Sequence, residues 1–336
     1  MKAAVLHEPK KPLSIEDVPT PKPGYGEVLI KVKAVGVCHS DLHIVDGEIP
    51  VPKLPLILGH EVAGVIEEVG EGVKDLKPGE KAALSWLWWT CGKCEYCLTF
   101  RENLCPNQIN TGYSTNGGYA EFVKAPASHV LKIPDGVGFP EATSCTDAVA
   151  TPYRALTYAS RVKPGDLVAV FGIGGLGLNA VQIAKAFGTK VVAVDLLDEK
   201  LELARKFGAD YTVNPTKEDP VKYIEDLGGA DVALTPVTSL KAMRQAYEAV
   251  KPGGTLVLIG LPTGELALPV IDWILKGKIV VGNIGFTRYE IIQSFKLVAE
   301  GKVKPLANTF KFEEVNDVLD KLRKGEIKGR AVLVFD

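Results

Sequence analysis

No stretch of this 336-residue chain runs uninterrupted in apolar residues for the roughly 18 positions that a membrane-spanning helix needs. Neither sign of charge dominates: 39 Lys and Arg stand against 41 Asp and Glu, interspersed rather than in blocks. A formal net charge of −2 excludes the basic field on which binding to nucleic acid or an anionic membrane depends. The N-terminal Met1-Lys2-Ala3-Ala4-Val5-Leu6-His7-Glu8 reaches charged residues before an apolar export segment could form, so a cytoplasmic protein is expected. Side-chain amides are scarce, with four Gln and nine Asn against 31 Lys and 24 Glu, a bias that points toward a thermophilic source. Of the six cysteines, three are spaced by two residues. In a reducing compartment that spacing favours metal ligation over disulfides.

The length suits two domains, each able to bury its own core. In the first third, Val28 to Val35 alternates apolar and polar residues as a half-buried strand does, and Val62 to Val69 is a second short apolar stretch. Pro and Gly punctuate the rest, which reads as a β-rich domain of strands and functional loops. From about residue 150 strand-like and helix-like segments alternate: Val168 to Phe171, Leu176 to Phe187, Val191 to Val194, Glu199 to Phe207. Further strands are expected near Val232 to Leu234, Thr255 to Ile259 and Ile279 to Val281. Repeated βα units predict a doubly wound parallel sheet. The expected division is residues 1–147 plus 287–336 for the β-rich domain and 148–286 for the doubly wound one.

Gly172-Ile173-Gly174-Gly175-Leu176-Gly177 lies between such a strand and helix and has the form G-x-G-x-x-G. Gly172 permits a tight turn, Gly174 lets a pyrophosphate approach the backbone, and Gly177 allows close helix–strand packing. The helix N-terminus adds free N–H groups and a positive dipole end. Asp195 closes the next strand 18 residues after Gly177, where a carboxylate accepts hydrogen bonds from ribose hydroxyls and repels a 2′-phosphate. NAD is therefore expected over NADP, although the nearby Lys200 could serve either ribose.

Cys91-x2-Cys94-x2-Cys97-x7-Cys105 places four thiols in one loop. Four sulfurs around tetrahedral zinc form a closed, structural site. The alternative is an iron–sulfur cluster, since Pro106 follows Cys105, but the gap of seven residues is longer than the ferredoxin spacing. A second constellation, Cys38-His39-Ser40-Asp41-x-His43, precedes Gly59-His60-Glu61. Its spacing alone leaves two readings open: a catalytic metal held by Cys38 and His60, or a buried thiol and a hydrogen-bonded loop histidine.

Taken together, CHSDLH, LPLILGHEVAGVI, the CGKCEYC…C loop, GIGGLG and the closing KGRAVL resemble, in order and nearly end to end, the zinc-dependent alcohol dehydrogenases of the medium-chain dehydrogenase/reductase family. That resemblance implies a Rossmann domain joined to a β-rich, GroES-like catalytic domain, with substrate and nicotinamide meeting between them. It implies interconversion of an alcohol with its aldehyde or ketone. Cys38 and His60 would bind a catalytic zinc, Asp41 would orient His60, and Glu61 would be a carboxylate able to approach the metal. Ser40 and His43 would relay the proton, and His39 and Arg330 would lie near the cofactor pyrophosphate. Trp86 matches a substrate-pocket aromatic, whereas Trp88 and Trp89 read as core or interface. The resemblance also implies pairing of Rossmann sheets through Ile279 to Gly285 in a dimer or tetramer.

The chain departs from the family at the third zinc ligand. The common pattern places a Cys six residues before an aromatic. Here the stretch reads Asp147-Ala148-Val149-Ala150-Thr151-Pro152-Tyr153, putting Asp147 in the ligand position and Cys145 two residues away. Zinc accepts carboxylate oxygen, and a thermophilic secondary-alcohol branch of the family resembles the Cys/His/Asp set. Two other functions share parts of the pattern: a metal-free reductase of quinones or enones, and a non-enzymatic NAD(H) sensor stapled by zinc. Neither has a use for the full Cys38, Ser40, His43, His60 and Asp147 set.

Overall fold

A computed structural model describes residues 1–335; Asp336, the last residue of the expected catalytic domain, lies outside them. The chain divides into two compact units, the first comprising Met1–Ala150, Phe286–Ala299 and Pro305–Asp336, the second Thr151–Gly285 and Glu300–Lys304. Among the described residues no helix is long and apolar enough to cross a membrane.

The first unit is built on the eleven-residue Glu27–Val37 strand, whose apolar residues are nearly all buried. One edge pairs antiparallel with Glu61–Val69. The other edge is shared: Phe122–Pro126 pairs with its first half and Arg330–Val334 with its second. Lys81–Leu84 and Leu131–Lys132 extend the sheet beyond Glu61–Val69, and Ala307–Lys311 lies parallel to Arg330–Val334. The register sets Val332 opposite Gly36 and Gly36 opposite Glu61, a row crossing three strands. The apolar faces close on a core including Leu6, Ile30, Val35, Leu58, Val62, Tyr119 and Leu333.

In the second unit six parallel strands run in the order Tyr211–Val213, Lys190–Val194, Leu167–Phe171, Ala230–Thr235, Val250–Leu258, Ile279–Gly282. Leu167–Phe171 is wholly buried, as expected of a strand covered on both faces by crossover helices. The strand order reverses on either side of Leu167–Phe171, and the turn that follows this strand is therefore at the switch point of the sheet. Glu300–Lys304 belongs with this unit. Gln182 both donates to the Lys304 carbonyl (3.2 Å) and accepts its N–H (2.8 Å), a pairing that no sequence pattern announces.

Candidate functional site

Three ends of secondary structure bring a sulfur, a nitrogen and carboxylate oxygens together in the first unit. Cys38 follows the Glu27–Val37 strand and caps the seven-residue helix His39–Val45. His60 precedes the Glu61–Val69 strand and follows Gly59, whose φ of +88° suits glycine. A Cβ on Gly59 would also stand 2.7 Å from Cε1 of the Tyr119 ring. Asp147 lies just beyond the helix Phe139–Cys145. Donor atoms of Cys38, His60, Glu61 and Asp147 all lie within 4.8 Å of one another, and all four residues are buried. The Cys38 sulfur is 3.4 Å from Asp147 Oδ2, and His60 Nε2 is 3.8 Å from that oxygen and 3.9 Å from Glu61 Oε1. Ligands around tetrahedral zinc at its usual bond lengths stand about 3.3–3.8 Å apart, so this donor set fits the ion.

Behind the cluster, Asp41 is fully buried and arranges its neighbours. It accepts the Cys38 N–H (3.0 Å), the Tyr119 hydroxyl (3.0 Å) and the Gly59 N–H (3.3 Å), and its Oδ1 is 3.3 Å from His60 Nδ1. A proton on Nδ1 shared with Asp41 leaves Nε2 as the lone-pair nitrogen facing the cluster. Burial would raise the Asp41 pKa, but the His60 charge and these hydrogen bonds outweigh it and hold the carboxyl below its ordinary range. Burial opposes a charge on His60, yet Asp41 and Asp147 raise its pKa well above the usual value. These carboxylates thus favour positive charge at His60, a charge that a bound metal cation would supply in place of the proton. Tyr119, whose OH burial and the Asp41 charge hold protonated, had no signal in the sequence beyond an aromatic in a strand-like stretch.

The remaining expected site residues are spread around this centre. Ser40 Oγ is 3.6 Å from the Cys38 sulfur, and His43, one helical turn on, pairs through Nδ1 with Glu48 at the half-exposed end of the helix. His39 is exposed, its ring 6.4 Å from that of His43. Arg330, which the resemblance set beside a pyrophosphate, is buried and donates to Glu61 Oε2 (2.9 Å) and Asp147 Oδ2 (2.7 Å). Trp86 stands edge-on to His60, with centroids 5.2 Å apart, and Tyr113 leans on Trp86 at 5.5 Å. Trp88 packs on the core and donates its indole N–H to the Lys124 carbonyl, while Trp89 is half-buried in the Leu87–Trp89 strand. Cys145 is fully buried away from the ligand group, and burial pushes its thiol pKa up.

Cys91, Cys94, Cys97 and Cys105 form a second cluster, with sulfur separations of 3.5 Å (Cys94–Cys97), 3.6 Å (Cys91–Cys105) and 3.9 Å (Cys91–Cys97). Four Zn–S bonds of about 2.3 Å would set the sulfurs about 3.8 Å apart, so the loop fits a closed zinc site. The backbone N–H groups of Lys93 and Cys94 help to lower the Cys91 pKa to about 6, which favours the thiolate that ligation requires. None of the six cysteines is in a disulfide. The loop is tied down by Glu102, which accepts the Arg288 N–H (2.8 Å) and pairs with its guanidinium (2.7 Å).

In the second unit Gly172 has φ +103°, and the helix Gly175–Ala186 starts at the end of the fingerprint. A Cβ on Gly177 would run into the Gly172 carbonyl, whereas one on Gly174 would meet nothing within 4 Å. The first glycine contact closes helix on strand, and the second position leaves open space over N–H groups, as a bound pyrophosphate needs. Asp195 accepts the Ile173 N–H (2.7 Å) and the Leu197 N–H (3.1 Å), so the same carboxylate braces the glycine turn. Leu176 lies in the first turn of the helix, and Lys200 lies in the following helix Asp198–Lys206.

Comparison with known proteins agrees with this geometry. Residues 24–135 match the family model for the alcohol dehydrogenase GroES-like domain, and residues 175–300 match that for zinc-binding dehydrogenases. An alcohol dehydrogenase of Geobacillus stearothermophilus is 50% identical over 335 residues, covering 99% of this chain and 98% of that protein. The crystal structure of the alcohol dehydrogenase from the hyperthermophilic archaeon Aeropyrum pernix superposes with a TM-score of 0.92 at 38% identity, covering 100% of both chains. Acetophenone reductase from Geotrichum candidum, solved with NAD, gives 0.90 at 36% identity over 99% of this chain and 97% of that one. With both domain models matched in order and relatives aligned from end to end, the chain belongs to the zinc-type alcohol dehydrogenases of the medium-chain dehydrogenase/reductase family.

Proposed function

We propose that Cys38, His60 and Asp147 hold the catalytic zinc of an NAD-linked alcohol dehydrogenase, and that Cys91, Cys94, Cys97 and Cys105 hold a second, structural zinc. The observation that carries the first assignment is the convergence of a thiol, an imidazole nitrogen and a carboxylate at 3.4–3.8 Å in a buried pocket. When bound, zinc supplies Lewis-acid polarisation of the substrate oxygen, and the nicotinamide supplies the hydride acceptor or donor. The balance is alcohol plus NAD⁺ to carbonyl plus NADH plus a proton.

The chain's own part is orientation and proton movement. Asp41 holds the Nδ1 proton of His60 and so fixes the direction of Nε2. Ser40 Oγ, next to the Cys38 sulfur, receives the proton of the alcohol, and His43, three residues on and on the same helix face, passes it outward. Glu48, paired with His43 through Nδ1, orients its ring. The ring of Trp86 beside His60 gives the alcohol's carbon substituent an apolar wall.

Asp195 supports NAD over NADP, because a 2′-phosphate would meet a carboxylate already anchored by two backbone N–H groups. A cytoplasmic location accords with six unbridged cysteines. Self-association is supported by the helix Val270–Lys276, where Ile271, Ile274 and Leu275 are each at least 72% exposed, and by the edge strand Ile279–Gly282 beside it. Adjacent exposed apolar side chains and an open sheet edge are what a second copy covers.

The deciding experiment counts metal and turnover on the same preparations. Asp147→Ala should drop from two zinc ions per chain to one and lose most alcohol oxidation, while NAD binding persists. Two zinc ions and normal turnover in that variant would refute Asp147 as a ligand.

A further inference from the structure

The chain holds nine asparagines, and one of them, Asn116, is followed by glycine. We infer that Asn116–Gly117 is a self-modification site: the Gly117 backbone nitrogen cyclises onto the Asn116 side chain, and the product distorts the segment that carries His60. The reaction needs no partner except water. Its effect on alcohol oxidation rests on the role given to His60 above; the modification itself does not.

Packing explains why this reactive pair is present. Asn116 is exposed at the end of a turn, whereas Gly117 is buried. A Cβ on Gly117 would stand 2.2 Å from the Gly59 carbonyl oxygen and 2.6 Å from that of Leu58, so the backbones leave no room for a side chain. Asn116 supplies its Oδ1 as acceptor to the Ile57 N–H at 3.4 Å. The glycine that close packing demands is also the residue that hinders attack on Asn116 least, because it has no Cβ.

The fold holds the reaction back. The Gly117 N–H donates to the Ile57 carbonyl at 2.7 Å, and while that bond is made the nitrogen can neither shed its proton nor turn toward Asn116 Cγ. The guard is a short element: Leu56–Ile57 is a two-residue strand, and Pro52 to Pro55 before it are exposed. Local opening of such an edge requires far less free energy than global unfolding. In the open state the Gly117 nitrogen bonds to Asn116 Cγ, ammonia leaves, and a cyclic imide forms. Water then opens the imide at either carbonyl, giving an aspartyl or an isoaspartyl residue. In the isoaspartyl product the main chain runs through the former side-chain carbon and is one atom longer.

That extra atom falls where there is no slack. Gly118 N–H donates to the Gly59 carbonyl at 2.7 Å and Tyr119 N–H to that of Leu58 at 3.0 Å, a pairing that ends one residue before His60. The Gly59 N–H and the Tyr119 hydroxyl both donate to Asp41, whose Oδ1 faces His60 Nδ1. An isoaspartyl link at position 116 therefore displaces the residues that aim His60, and not a surface turn alone.

The test incubates the zinc-loaded full chain at mildly alkaline pH below its unfolding temperature. Peptide masses and enzymatic methylation of isoaspartyl carboxyls are followed over time. A gain of one mass unit should appear first in the peptide containing Asn116, at least about tenfold more slowly than in a free peptide of residues 114–118. Ion exchange separates the more acidic product. Its isoaspartyl fraction should have lost most alcohol oxidation, while the unmodified fraction keeps it. Asn116→Gln, whose longer side chain closes an imide far more slowly, should gain no mass at that peptide and outlast the native chain. Asn116→Asp, which carries the charge on a normal main chain, should start near native activity. A first mass gain elsewhere, a rate equal to the free peptide's, equal activity in the separated fractions, or an Asn116→Asp chain inactive from the start would overturn the proposal. A fresh, zinc-loaded chain that oxidises no alcohol would instead overturn the reading of His60, and the mass gain would still decide the modification.

Discussion

Titration from pH 7 to pH 4 should destabilise this protein through one buried imidazole, His129, at the entrance to the cysteine loop. Its Nε2 accepts the Thr90 N–H at 3.0 Å, immediately before Cys91, and its Nδ1 is 3.0 Å from Ser128 Oγ. Burial disfavours the imidazolium, the Arg288 guanidinium adds repulsion, and Glu102 offsets only part of this, so the pKa falls from an ordinary 6.5 to about 4. The folded value lies below the unfolded one, so the neutral ring's contribution is complete above pH 6.5 and is lost as pH falls toward 4. At about 1.4 kcal/mol per pH unit, the gap between 6.5 and about 4 amounts to about 3.5 kcal/mol in full, of which about 3 kcal/mol is lost by pH 4. Protonation also removes the only acceptor that the ring offers Thr90. Urea unfolding at intervals across this range, on the native chain and on His129→Gln, isolates the contribution. Gln can accept the Thr90 N–H without titrating, and loss of zinc from protonated thiols is common to both proteins. The native curve should fall about 3 kcal/mol further than the variant's by pH 4. Parallel curves would refute the reasoning.

Cys97→Ser should remove one zinc per chain and lower Tm by several degrees while the hydride-transfer step is largely kept; a variant of native stability with its full metal content would contradict a structural role. Asp195→Gly should narrow or reverse the preference for NAD, and it should weaken both cofactors because the Ile173 N–H loses its acceptor; titration of both cofactors decides, and tighter NADP binding by the native chain would remove the basis of the preference. Replacing Ile271 and Leu275 together by Glu should shift the native mass in sedimentation toward that of a monomer. An unchanged mass would show that another surface mediates association.

The two domains and their classes were legible because their signals are short in range. The G-x-G-x-x-G turn and the C-x2-C spacings lie within single loops, where covalent geometry already confines the side chains. Alternating βα segments likewise limit the topology through short, right-handed connections. Other contacts had no such signature. Trp86, Tyr113 and His60 meet through a bend, a turn and a loop that are each more than twenty residues apart in the chain. Tyr119 reaches Asp41 across 78 positions.

By itself the sequence determined the residue types for two metal clusters and a dinucleotide turn, and it put Asp147 where the family pattern has a thiol. Only the tertiary structure decided how those groups act on one another. Cys38 and Asp147 are 109 positions apart, and Glu61 and Arg330 are 269 apart, yet each pair is in hydrogen-bonding contact. The reason is register. Period-two alternation in a strand sets which face a side chain occupies, but which residue of another strand stands beside it depends on how the strands pair. Here that pairing threads the Glu61 carboxylate over Gly36 to Arg330, so the arginine that the motif reading set near a cofactor also stands against the carboxylates of the metal cluster.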